Sequence, residues 1–202
     1  MKLTKSLWVF VALLITTVCH GEAERRQIAH AVPTSLAGTA VGPQTADHGG
    51  KIESKYDGFS HETIVRLNKM RITCGGVDGK FKDICISVVA ELHCPGTQLD
   101  YVRYARLQLV FQTKDWTKRH PLAERQLSVV ANTETLRLGQ MKLISQSQNE
   151  LMTEVLEVEV PYAVFTKIAR AQTVDVNVGT TTFELGPKNL DALRDLNNRV
   201  KF

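Results

Sequence analysis

The chain has 202 residues, 43% of them hydrophobic, with 25 Lys and Arg against 21 Asp and Glu and a formal net charge of +4. This length suits one ordinary domain with a real core. A charge so near neutral excludes the dense basic footprint of a nucleic-acid-binding protein, and the more so if a leader carrying Lys2 and Lys5 but no acid is removed.

At the start, Lys2 and Lys5 precede an apolar run from Leu7 to Val18 and then the small residues Gly21 and Ala23, the layout of a secretory signal peptide over residues 1–21. Cleavage after Gly21 or after Ala23 satisfies the preference for small side chains. The run is about twelve residues, short of the roughly 20 that a spanning helix needs, so no transmembrane segment is expected after signal removal. Lipidation at Cys19 is disfavoured, because Thr16, Thr17 and Val18 precede it where a very small residue is normal. Residues 22–51 then hold Pro33, Pro43, Gly38, Gly42, Gly49 and Gly50 among small polar residues, the composition of a flexible linker. A single domain is expected over residues 52–202.

From Tyr56 onward the pattern becomes one of short runs with period two. Ile84, Ile86, Val88, Ala90 and Leu92 alternate with Cys85, Ser87 and Glu91. Leu107–Phe111, Leu127–Ala131, Thr135–Leu138 and Met141–Ile144 follow as strand candidates. The clearest is Leu156, Val158 and Val160 against Glu157 and Glu159, which requires one wet face. Pro161 ends that run by removing a donor, and Phe165, Ile168 and Ala169 stand at helical spacing within 162–171. Val174, Val176 and Val178 resume the alternation, and Gly179 leads into Thr181, Phe183 and Leu185 as a hairpin. After Pro187, Leu190, Leu193, Leu196 and Val200 form the stripe of a C-terminal amphipathic helix. Six to nine short strands with one short internal helix and this terminal helix predict a mainly β fold, an antiparallel sandwich or partly closed barrel.

No phosphate loop, nucleophile elbow, dinucleotide fingerprint, zincin helix or paired-Cys motif occurs, so no catalytic residue, metal or cofactor is assigned. His93 beside Cys94 joins two soft-metal ligand types, but neighbours on a strand point to opposite faces. Asp115, His120 and Ser128 could be grouped as a hydrolytic triad, yet nothing in their spacing favours that over loop residues. Trp116, Lys118 and Arg119, in a basic stretch interrupted by Asp115 and Glu124, form the candidate contact loop, since Trp and Arg dominate interface energetics.

Cys74, Cys85 and Cys94 remain after the leader, and an exported chain favours pairing two of them. Cys85 and Cys94 at the two ends of one strand would stand roughly 30 Å apart at ~3.3 Å per residue, against a limit of about 7 Å between Cα atoms. Asp78-Gly79 is a turn signal that puts Cys74 and Cys85 on neighbouring hairpin arms. The apolar register, Met70, Ile72 and Cys74 against Val88, Ile86 and Ile84, turns Cys85 to the opposite face; a bulge at Gly75-Gly76 would bring it back. Both outcomes stay open, with Cys94 a free or partner-linked thiol.

Tyr56-Asp57-Gly58-Phe59 followed by Thr63, Val65 and Leu67, together with Val174-x-Val176-x-Val178-Gly179-x-x-x-Phe183-x-Leu185 and its leucine-striped tail, resembles exported bacterial proteins of β-sandwich-like pattern with no known activity. The resemblance covers about two thirds of the chain and implies fold, not function. The expectation is a non-enzymatic exported, periplasmic or cell-envelope module that binds a protein or envelope glycan. The alternatives are an exported hydrolase assembled from isolated loop residues, or a structural subunit of an envelope assembly.

Overall fold

The computed structural model describes residues 47–74, 84–114, 120–148 and 151–200, without the side chains of Leu122 and Gln148. The expected signal peptide, the expected linker up to residue 46 and the candidate contact loop of Trp116, Lys118 and Arg119 lie outside the described residues.

Among the described residues ten strands and two α-helices follow one another: β1 (Ile52–Asp57), β2 (Glu62–Cys74), β3 (Ile84–Pro95), β4 (Tyr104–Thr113), β5 (Gln126–Ala131), β6 (Glu134–Gln140), β7 (Lys142–Gln148), β8 (Met152–Val160), α1 (Tyr162–Arg170), β9 (Val174–Val178), β10 (Thr181–Glu184) and α2 (Pro187–Asn198). They form a six-stranded antiparallel sheet in the order β1-β2-β3-β4-β8-β7 and a four-stranded one in the order β10-β9-β5-β6. The fold is the expected mainly β, sandwich-like one; the sheets do not close into a barrel. The described residues hold ten strands rather than six to nine, because the mostly polar segment Lys-Ile-Glu-Ser-Lys-Tyr-Asp of 51–57 supplies an edge strand that no sustained apolar alternation announces.

Alternation on the large sheet sorts residues cleanly. Ile84, Ile86, Val88, Ala90, Leu92 and Cys94 of β3 point inward with Ala105, Leu107, Leu109 and Phe111 of β4 and Leu156, Val158 and Val160 of β8. The small sheet (Leu127, Val129, Val176 and Val178), α1 and α2 cover this inner face in one continuous core. Phe111, Phe165 and Phe183 are almost fully buried, and each contributes about 2–3 kcal/mol through apolar burial.

Local chemistry sets the element ends. The Pro161 carbonyl accepts from the amides of Val164 and Phe165, so the residue that stops β8 also starts α1. Gly186 and Pro187 open α2, where the Asn189 side chain accepts from the Gly186 amide and donates to the Arg71 carbonyl of β2. At the Gly179-Thr180 turn, Gly179 adopts φ +57°, and a Cβ there would lie 2.3 Å from the Glu124 carbonyl oxygen, so only glycine fits.

The β2–β3 register answers the cysteine question. It shifts by one residue between Leu67 and Met70 and again between Arg71 and Thr73, so Thr73 faces Ile86 and Cys74 faces Cys85. The extra residue that restores the face is therefore Ile72, not one at Gly75-Gly76, which lies outside the described residues. Cys74 and Cys85 form a disulfide with Cα atoms 4.1 Å apart. Cys94 is a free thiol, fully buried in the core, and burial, with Asp100 and Glu62 adding to it, pushes it up to about 11. It stays protonated and unreactive at neutral pH.

Candidate functional site

Three groupings of polar or exposed residues stand out on this frame. The first lies on the outer face of the large sheet. One cross-strand row reads Glu53, Arg66, Glu91, Arg106, Glu159 over β1, β2, β3, β4 and β8, alternating in charge at every step. Glu91 lies 3.3 Å from Arg66 and 3.5 Å from Arg106, and Arg106 reaches Glu159 at 3.0 Å. In the next row His93 stacks on Tyr104 with ring centroids 4.4 Å apart, and its Nδ1 lies 3.0 Å from Glu62. Arg103 donates to the other oxygen of that carboxylate at 2.7 Å. The long side chains of neighbouring strands roof β3, so Glu91 and His93 are buried although they face outward. A recess of about 380 Å³ opens beside this row and is lined mainly by Glu53, Lys55 and Asp57 of β1 and Ile64 and Arg66 of β2.

Burial tends to raise the Glu91 carboxyl, but the His93 hydrogen bond and the Arg66 and Arg106 charges outweigh it and hold the group below its ordinary 4.5. A depressed carboxylate contributes stability that is present above its ordinary value and lost as pH falls through the folded one. Glu91→Gln is therefore expected to destabilise the protein at pH 7, with the difference from wild type closing as pH falls below 4.5. Urea midpoints taken between pH 7 and pH 3 check this; a gap constant with pH would refute the ionic role.

The second grouping is internal. On β8 Glu154 falls in phase with Leu156, Val158 and Val160 and so points into the core, 1% exposed. One oxygen, Oε2, lies 2.7 Å from His120 Nδ1 and accepts from the His120 amide at 3.2 Å, while Oε1 faces Arg125 at 3.9 Å. His120 Nε2 lies 3.1 Å from Thr181 Oγ1, and the ring packs on Phe111. Hydroxyl, imidazole and carboxylate thus stand in the order of a charge-relay triad. All three are buried, so in this conformation the run ties β8, β10 and the segment before β5 together.

The two groupings that the sequence disfavoured are not seen, with Asp115 outside the described residues. His93 and Cys94 point to opposite faces of β3, and His120 meets Glu154 and Thr181 rather than Ser128. Sequence reasoning missed Glu154, although a carboxylate in register with three apolar residues was the signal for it.

The third grouping is the end of the large sheet formed by the β1–β2 turn and the β3–β4 loop. Asp57 accepts from the Phe59 amide at 3.0 Å and from the Ser60 hydroxyl at 2.8 Å, His61 takes φ +54°, and the His61 carbonyl accepts from the Gly96 amide. The Thr63 hydroxyl donates to the Gly96 carbonyl at 2.7 Å, joining the two loops. This braced end presents Phe59, 96% exposed, with Tyr101 at 59% and Tyr56 at 44%. Sequence reasoning used Asp57-Gly58-Phe59 only as part of a pattern and missed Phe59 as an exposed residue.

Among the described residues no helix is long and apolar enough to cross a membrane. Comparison with protein-family models, with curated proteins and with solved structures gives no match.

Proposed function

We propose that the chain is an exported, non-enzymatic binding module that engages a protein or glycan surface of the cell envelope through the aromatic end of its large sheet. The observation that carries this reading is Phe59. A large apolar side chain held almost wholly in solvent contributes nothing to the core, and here a hydrogen-bonded turn fixes the backbone that presents it. A rigid aromatic anchor binds at low conformational cost, and such anchors dominate interface energies. This reading takes Phe59 and Tyr101 as the contact residues, and the Trp116 loop lies outside the described residues.

Replacing Phe59 by a photo-crosslinking phenylalanine derivative is expected to give a discrete adduct with envelope material, while the same derivative at Lys188, on the first turn of α2, gives none. For the captured partner, Phe59→Ala is expected to weaken binding about 30-fold, the size of a 2 kcal/mol anchor. Equal adducts at both positions, or unchanged capture by a folded Phe59→Ala protein, would remove the support. Adducts with protein and with polysaccharide separate the two surface types.

The hydrolase reading draws on the Thr181–His120–Glu154 run. Turnover in esterase, phosphatase or glycosidase assays that disappears in a folded His120→Gln protein would replace the binding reading with that one.

A further inference from the structure

Among the described residues, strand β1 is an open edge of the six-stranded sheet. The Asn68 amide donates to the Lys51 carbonyl, and bonded pairs alternate along an antiparallel ladder. Lys51, Glu53, Lys55 and Asp57 therefore carry the bonds to β2, and the backbone groups of Ile52, Ser54 and Tyr56 face the open edge.

The side chains of 51, 53, 55 and 57 share the outer face and alternate in sign: Lys51, Glu53, Lys55, Asp57. Laid antiparallel against itself about Ser54, this sequence meets its own opposite at every step. Lys51 faces the partner's Asp57, and Glu53 faces the partner's Lys55. On the other face Ile52 meets the partner's Tyr56. The backbone groups brought together in this register are those of Ile52, Ser54 and Tyr56, which supply about six hydrogen bonds, two for each of three bonded pairs. The two neighbouring registers that keep the faces aligned, centred on Glu53 or on Lys55, place like charges opposite each other, which is destabilising. Flat edges invite such pairing, and the strand is exposed over residues 53–56.

We propose that two copies of this chain associate through β1, antiparallel and in register about Ser54, to make one continuous sheet across a two-fold axis. The charge pattern selects a second copy over an unrelated strand, because only the register about Ser54 sets all four charges against opposite ones; the registers about Ile52 and Tyr56 pair only two of them and shorten the ladder. The interaction is electrostatically tuned and exposed, so it weakens with added salt.

The test is sedimentation of the purified protein over about 1 µM to 1 mM, the range of weak association, with circular dichroism confirming the fold of each variant. Wild type is expected to dimerise. Lys55→Glu sets Glu53 against a second carboxylate twice per dimer and is expected to weaken association about tenfold. Glu53→Lys does the same with cations, and the double variant Glu53→Lys/Lys55→Glu restores opposite pairs and wild-type affinity. An equimolar mixture of the two single variants is expected to form the heterodimer in preference to either homodimer. Ser54→Pro, which removes a donor facing the open edge, abolishes the dimer without loss of fold. A wild-type protein monomeric throughout this range, or a dimer indifferent to both the charge reversal and its rescue, overturns the proposal.

Discussion

Glu154→Ala is expected to lower stability by about 3–5 kcal/mol, the cost of removing one partner from a buried charged network. The carboxylate is 1% exposed and receives the His120 ring, the His120 amide and, at longer range, Arg125. Its loss leaves buried donors unpaired and opens a cavity, and the two costs add. At roughly 2–4 °C per kcal/mol for a chain of this size, the melting temperature falls by about 6–20 °C. Glu157→Ala on the same strand is the control. Its side chain points outward, accepts from Gln108 at 2.7 Å and faces Arg106 at 3.6 Å, and its loss should cost about 1 kcal/mol. Glu154→Gln keeps an acceptor and falls between the two. A Glu154→Ala protein no less stable than Glu157→Ala in urea unfolding would show that the internal network does not hold the sheets together.

That contrast marks where sequence pattern stops being informative. The runs Ile84–Leu92, Leu156–Val160 and Val174–Val178 were legible because one face of each is apolar and the other polar. Period two then fixes both the strand and its orientation. β1 was not legible: its second face carries only Ile52 and Tyr56 on either side of Ser54, too short an apolar signal in an edge strand exposed over most of its length. Glu154 was hidden for a different reason. Three carboxylates on β8 look alike in sequence, and only phase relative to Leu156, Val158 and Val160 separates the inward one from the two outward ones. His120 carried no periodic signal, because its burial comes from Glu154 and Thr181, residues 34 and 61 positions away. The aromatic end was not legible, because only the joined loops show that Phe59 and Tyr101 share one end of the sheet.

Removing the disulfide is expected to cost about 3 kcal/mol, the chain-entropy value for a loop of this size. Cys74 and Cys85 are 11 residues apart in sequence and face each other directly on β2 and β3. The bond exists because β2 carries two one-residue register shifts; without the second, Cys85 would face away from Cys74. Cys74 is exposed and Cys85 half-buried on the outer face, so a reductant reaches the bond in the folded protein. Three measurements of the urea midpoint then test the assignment together. Wild type without reductant should be the most stable, while reduced wild type and Cys74→Ala/Cys85→Ala should coincide about 3 kcal/mol lower. Adding reductant to the double variant should change nothing, since Cys94 is buried and its thiol is pushed up to about 11. A drop of the double variant on reduction would reveal a bond made by Cys94. Wild type indifferent to reductant would mean that the β2 shifts do not bring the two sulfurs together in solution.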